Sequence, residues 1–87
     1  MLKNEPRVIQ VNDINIGKII TEIRNKKGIM QKDMVARLQV NGVDISVYSY
    51  NRVEKGTQNP TVSLLYALCL ILKCDMNTLF NFPNNEK

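Results

Sequence analysis

The sequence predicts a small all-α domain of five short helices, and three observations predict it. Apolar residues recur at helical spacing in successive windows, beginning with Ile16, Ile19, Ile20 and Ile23. Polar caps and glycine or proline stops separate those windows, at Gly28, Ser46, Gly56, Pro60 and Asp75. Period-two alternation is confined to Arg7-Val8-Ile9-Gln10-Val11, so no sheet is expected beyond one short strand, should that stretch find an edge.

Taken in order, residues 1–12 read as an N-terminal arm, 13–82 as the domain and 83–87 as a polar tail. Asp13 is the expected N-cap of the first helix. Lys18, Glu22, Asn25 and Lys26 occupy its polar face, and Gly28 ends it after Lys26 and Lys27, where cations suit the carbonyl end of the dipole. The second helix is expected from about Gln31 to Leu38, with Met34, Val35 and Leu38 inward. Asn41-Gly42 then signals a turn. Ser46 caps a third helix ending near Lys55, with Gly56 as its stop. Pro60 cannot continue a helix, and Thr61 caps the fourth, Val62 to Leu72. A fifth is expected from Met76 to Phe80, capped by Asp75.

Composition bounds the function. Eighty-seven residues with 44% hydrophobic and 23% charged side chains make one soluble domain, without room for a catalytic domain beside a binding domain. Histidine, the commonest acid–base catalyst and metal ligand, is absent. No catalytic residue, metal site or cofactor is implied, and an enzyme is not expected. Cys69 and Cys74 lack zinc or redox spacing and read as core fillers of a reduced cytoplasmic protein, a disulfide between them being the alternative. The longest apolar run, Leu64 to Leu72, is too short for a bilayer, so no membrane partner is expected. A net charge of +4 suits a polyanionic partner without proving one.

The informative stretch runs from Gln31 to Pro60. With Ser46 as cap, a step of about 100° per residue puts Val47, Tyr48, Asn51, Arg52 and Lys55 on one face of the third helix. Tyr50 and Val53 face the other way. Arginine can take guanine O6 and N7, asparagine can take adenine, and an apolar group can pack on a thymine methyl, which makes this face suited to base edges. Gln31, at the start of the second helix, is placed to hold a phosphate. The same face also reads as an ordinary solvated surface of a helical bundle, and Tyr48 as a tyrosine that merely shields its helix.

These residues resemble a family. Ile16-Gly17-Lys18-Ile19-Ile20-Thr21-Glu22-Ile23-Arg24, Gly28, Gln31, Leu38, Ile45-Ser46 and Val53-Glu54-Lys55-Gly56-Thr57-Gln58-Asn59-Pro60 resemble the Cro/phage-repressor-type, Xre-like helix-turn-helix pattern, continued by Leu65 to Leu72 and Leu79-Phe80. The likeness covers about residues 13 to 82. It implies a five-helix lambda-repressor-like domain that binds double-stranded DNA as a homodimer, with the third helix in the major groove. Carried over, Val47, Tyr48, Asn51 and Arg52 would contact bases, and Gln31, Ser46 and Lys55 would contact phosphates. Arg24 and Glu54 would form a buried structural ion pair between the first and third helices.

Three positions depart from the pattern. Five residues, Val40 to Asp44, lengthen a turn that in the family is usually Gly-Val-Ser. Met30 stands where Ser or Thr usually caps the second helix, and Val35 replaces the usual alanine at the helix crossing.

The fourth helix is apolar nearly all round. Val62, Leu65, Leu68, Cys69 and Leu72 make the expected inward stripe, leaving Leu64, Ala67, Leu70 and Ile71 on the opposite side as the expected dimer interface. A covering arm (Val8, Ile9, Val11) is the rival account of that surface. The functional expectation is a sequence-specific transcriptional regulator, a repressor. The alternative is an antitoxin-type interaction module of the same fold, with a toxin as its protein partner.

Overall fold

The computed structural model describes residues 16–79. The arm, the Asp13 cap, Phe80, Phe82 and the tail lie outside the described residues. The element order is α1 (Ile16–Lys26), α2 (Gln31–Val40), α3 (Val47–Lys55), α4 (Val62–Leu72) and α5 (Met76–Leu79), with no strand among the described residues.

Local chemistry sets most of the boundaries. The Ser46 hydroxyl accepts from Ser49 N–H at 3.0 Å, and Thr61 accepts from Leu64 N–H at 3.1 Å. Asp75 accepts from Thr78 N–H at 2.9 Å, opening α5. Each side chain satisfies a first-turn donor that has no intrahelical partner. Gly56 closes α3 at φ 82°, the left-handed cap that glycine adopts without penalty. At α2 the expectation of a missing cap holds: Met30 makes no side-chain capping bond.

The lengthened turn is ordered by the helix before it. α2 runs two residues past the expected Leu38, to Val40. Val43 N–H returns to Leu38 C=O at 2.9 Å, the Asn41 amide donates to Arg37 C=O at 2.8 Å, and the Gln39 amide donates to Ile45 C=O at 3.2 Å. Val43 is buried, so the extension contributes a side chain to the core.

That core is one cluster. Ile16, Ile20, Met34, Leu38, Tyr50, Val53, Leu65, Leu68, Leu72 and Leu79 are its fully buried members. α1 packs on α3, α2 on both α3 and α4, and α5 closes the end against α1 and α4. The α1–α3 contact is close enough to dictate Gly17: a Cβ there would lie 2.4 Å from Val53 C=O oxygen and 2.5 Å from Glu54 C=O oxygen. Only glycine allows the backbones to approach this far.

α4 corrects the expected facing. Leu64 and Ala67, expected outward, are buried at 3% exposure each, whereas Val62, expected inward, is 48% exposed. The cause is enclosure from several sides: α4 packs on α2 and α5, and Leu64 shares a cavity wall with Val43 and Ile45 of the lengthened turn. The open face of α4 instead carries Val62, Tyr66 and Leu70, one turn apart, with Ile71 half-buried at its edge. Both cysteines are free. Cys69 lies in the core, where burial first and the neighbouring Cys74 second push its thiol up to about 11.

Candidate nucleic-acid interface

The inner edge of α3 is fastened to α1 by a buried ion pair. Arg24 Nε donates to Glu54 Oε2 at 2.7 Å and its terminal nitrogen to Oε1 at 3.1 Å, a two-point contact that fixes orientation as well as distance. The other guanidinium arm donates to Ile29 C=O at 2.7 Å, tying the loop after α1 to the same group. Oε1 also lies within hydrogen-bond reach of the Thr21 hydroxyl, at 3.0 Å, and of the Gln31 amide, at 2.9 Å.

Burial alone would raise the Glu54 carboxyl above its ordinary range. Donation from Arg24, the nearby Tyr50, and donation from Gln31 and Thr21 outweigh it and hold the group below that range. The same contact with Glu54 raises Arg24, against the opposing effect of its own burial. Tyr50 is buried beside the pair, yet its hydroxyl has no partner at hydrogen-bonding geometry. Burial first and the nearby Glu54 charge second move the phenol well above its usual value.

The outer edge of α3 is open. Tyr48 is 72% exposed and Val47 44%, while Lys55 is exposed and Asn51 and Arg52 are half-buried. The Arg52 guanidinium lies over the Tyr48 ring, 5.7 Å from its centroid, so the two are held as a cation–π pair. Thr57 Oγ1 and N–H both donate to Arg52 C=O, at 3.3 and 3.0 Å, fastening the C-terminal end of the helix beneath that side chain.

The Gln31 side chain is engaged within the domain. Its carbonyl accepts from Asn51 Nδ2 at 3.1 Å while its amide donates to Glu54, so both ends of the side chain are used inside the domain. It bridges α2 to α3. The uncapped first-turn N–H groups of α2 stand at that end with it. Ser46 remains exposed at the start of α3, although its oxygen is used in capping.

Sequence reasoning missed two features: the Gln31–Asn51 bond, and the Val62–Tyr66–Leu70 stripe. The stripe's spacing of four was visible in the sequence, but leucines on every side of α4 hid it. Among the described residues no group of three or more His, Cys, Asp or Glu side chains could hold a metal ion, and no helix is long and apolar enough to cross a membrane.

A helix with one edge locked by a buried ion pair and the other presenting arginine, asparagine, tyrosine and valine, preceded by a packed second helix, defines a helix-turn-helix DNA-binding domain. The family model for the Cro/C1-type HTH DNA-binding domain matches residues 20–85, and the chain belongs to that family. Among solved structures it is similar to the restriction-modification controller protein C.AhdI from Aeromonas hydrophila. The two share 24% identity and a TM-score of 0.65, over 77% of this chain and 94% of that one. This likeness shows the same fold over the matched part of the chain. No curated protein gives a significant match.

Proposed function

We propose that the protein is a sequence-specific regulator of transcription in the cytoplasm, acting as a repressor by occupying its operator as a homodimer. One observation carries the reading: the outer edge of α3 exposes Tyr48 and Val47 and holds Arg52 and Asn51 half-open, while the buried ion pair that fastens the helix to α1 is made on its other edge. In the major groove Val47, Tyr48, Asn51 and Arg52 meet base edges. Ser46, Lys55 and the N-terminal end of α2 at Gln31 meet phosphates.

Geometry supports the dimer. Reading helices must reach successive major grooves about 34 Å apart, and one copy of the chain presents one such helix. Among the described residues, an apolar surface able to join two copies is the stripe Val62, Tyr66 and Leu70, with Ile71 at its edge, in place of Leu64 and Ala67. An isologous contact through it sets the half-site spacing.

Selection of binding sites from a random duplex library tests the reading: a two-fold-symmetric motif is expected, and recovery of unrelated sequences contradicts it. Sedimentation tests the assembly. The wild type is expected to be dimeric at about ten micromolar, and Leu70→Glu a folded monomer with far weaker operator binding. A monomeric wild type contradicts the dimer and turns the stripe toward a different protein, such as the toxin partner of an antitoxin of this fold.

A further inference from the structure

Glu54 is the fixed end of a hydrogen-bond chain that reaches the outer edge of α3. An ionised carboxylate only accepts, and this one is held ionised by its two-point contact with Arg24. The Gln31 group facing Oε1 at 2.9 Å is therefore its NH2, which turns the Gln31 carbonyl toward Asn51. A carbonyl in turn only accepts, so the Asn51 group facing it at 3.1 Å is also an NH2. Amide orientations are ordinarily open to a flip, but here each is dictated by the acceptor before it. The half-buried Asn51 is left with its carbonyl oxygen as the unused end.

We propose that Gln31 is a positioning residue that sets the polarity of Asn51, so that Asn51 meets DNA oxygen-first and selects a base bearing a major-groove amine. Two bases qualify: adenine, whose N7 can also take the remaining Nδ2 hydrogen, and cytosine. Guanine and thymine offer only acceptors on their own major-groove edges, so they leave the Asn51 oxygen unpaired, can use only the one remaining Nδ2 hydrogen, and are disfavoured at that position. The proposal rests on the reading of α3 given above. It adds a rule for one base that neither the helix-turn-helix class nor Asn51 by itself supplies, since a freely turning asparagine could satisfy any of the four.

The experiment compares sites selected from a random duplex library by the full wild-type chain, Asn51→Ala and Gln31→Met. Asn51→Ala marks the position, as the one whose preference it abolishes. There the wild type is expected to favour adenine or cytosine over guanine and thymine by about tenfold or more. Methionine fills the volume of Gln31 without an acceptor, so Asn51 can turn. Gln31→Met is expected to admit guanine and thymine at the marked position and to leave the other positions unchanged. Selection of guanine or thymine by the wild type, or an unaltered preference in Gln31→Met, overturns the proposal while leaving the reading of α3 standing. Failure of the wild type to select any motif removes that reading, and the proposal with it. A check independent of any variant is hydrogen exchange in the free wild-type protein. One Asn51 side-chain hydrogen is expected to exchange more slowly than its geminal partner, and two equally fast hydrogens overturn the locked amide.

Discussion

The two edges of α3 differ in what their side chains touch. On the inner edge Tyr50, Val53 and Glu54 are buried against α1 and the core, and the Glu54 carboxylate collects donors from three residues. On the outer edge Val47, Tyr48 and Lys55 lie in solvent, and the Arg52 guanidinium lies over the Tyr48 ring. The difference separates stability from recognition within a single helix. Substitutions on the inner edge should unfold the domain, and substitutions on the outer edge should change what it binds.

The largest expected effect lies at the ion pair. Glu54→Ala leaves the Arg24 guanidinium buried without its partner and should cost about 3–5 kcal/mol. Replacing Arg24 and Glu54 together by Met and Leu should cost less than either single change, because no charge is then stranded. Denaturant unfolding of Glu54→Ala, Arg24→Ala and the double variant checks this. Equal midpoints for wild type and Glu54→Ala would break the contrast between the edges.

Gly17→Ala comes next. The added methyl meets two backbone carbonyl oxygens, which cannot swing aside as a side chain can, so α1 must lift from α3 at a cost of about 3 kcal/mol. A thermal scan in which Gly17→Ala melts with the wild type would show that the two helices are not held at this distance.

A smaller effect follows from protonation. The Glu54 carboxyl sits below its ordinary range in the folded chain, so its stabilisation is present above the unfolded carboxylate range and is lost as the pH falls through the folded value. The unfolding midpoint of the wild type should therefore drop more steeply below about pH 4.3 than that of Glu54→Gln. Parallel pH profiles would place Glu54 outside the acid-sensitive set.

The contrast also explains what the sequence made legible. Capping is local: Ser46, Thr61 and Asp75 each act within three residues, and Gly56 within one turn, so four helix boundaries could be read from short motifs. The amphipathic α3 declared its two edges because polar and apolar groups alternate at helical period. α4 carries apolar residues on every side, so periodicity gave no preferred face. Its orientation was settled by packing on α2, α5 and the lengthened turn, which no periodicity within α4 itself reveals. Distance in sequence hid the role of Gln31. Its position at the start of α2 was evident, but its neighbours Asn51 and Glu54 are twenty or more residues away and are brought to it only by the fold.

The central claim, that the outer edge of α3 recognises bases while the inner edge holds the fold, is tested most directly by Arg52→Ala. The motif selected by this variant is to be compared with that of the wild type at matched unfolding temperature. Stability should change by no more than about 0.5 kcal/mol, since the guanidinium lies over the exposed Tyr48 ring and makes one long hydrogen bond, at 3.5 Å, to the Thr57 carbonyl. Preference should be lost at one base pair per half-site, worth about 1–3 kcal/mol there. A variant that selects the wild-type motif unchanged, or that unfolds, contradicts the account.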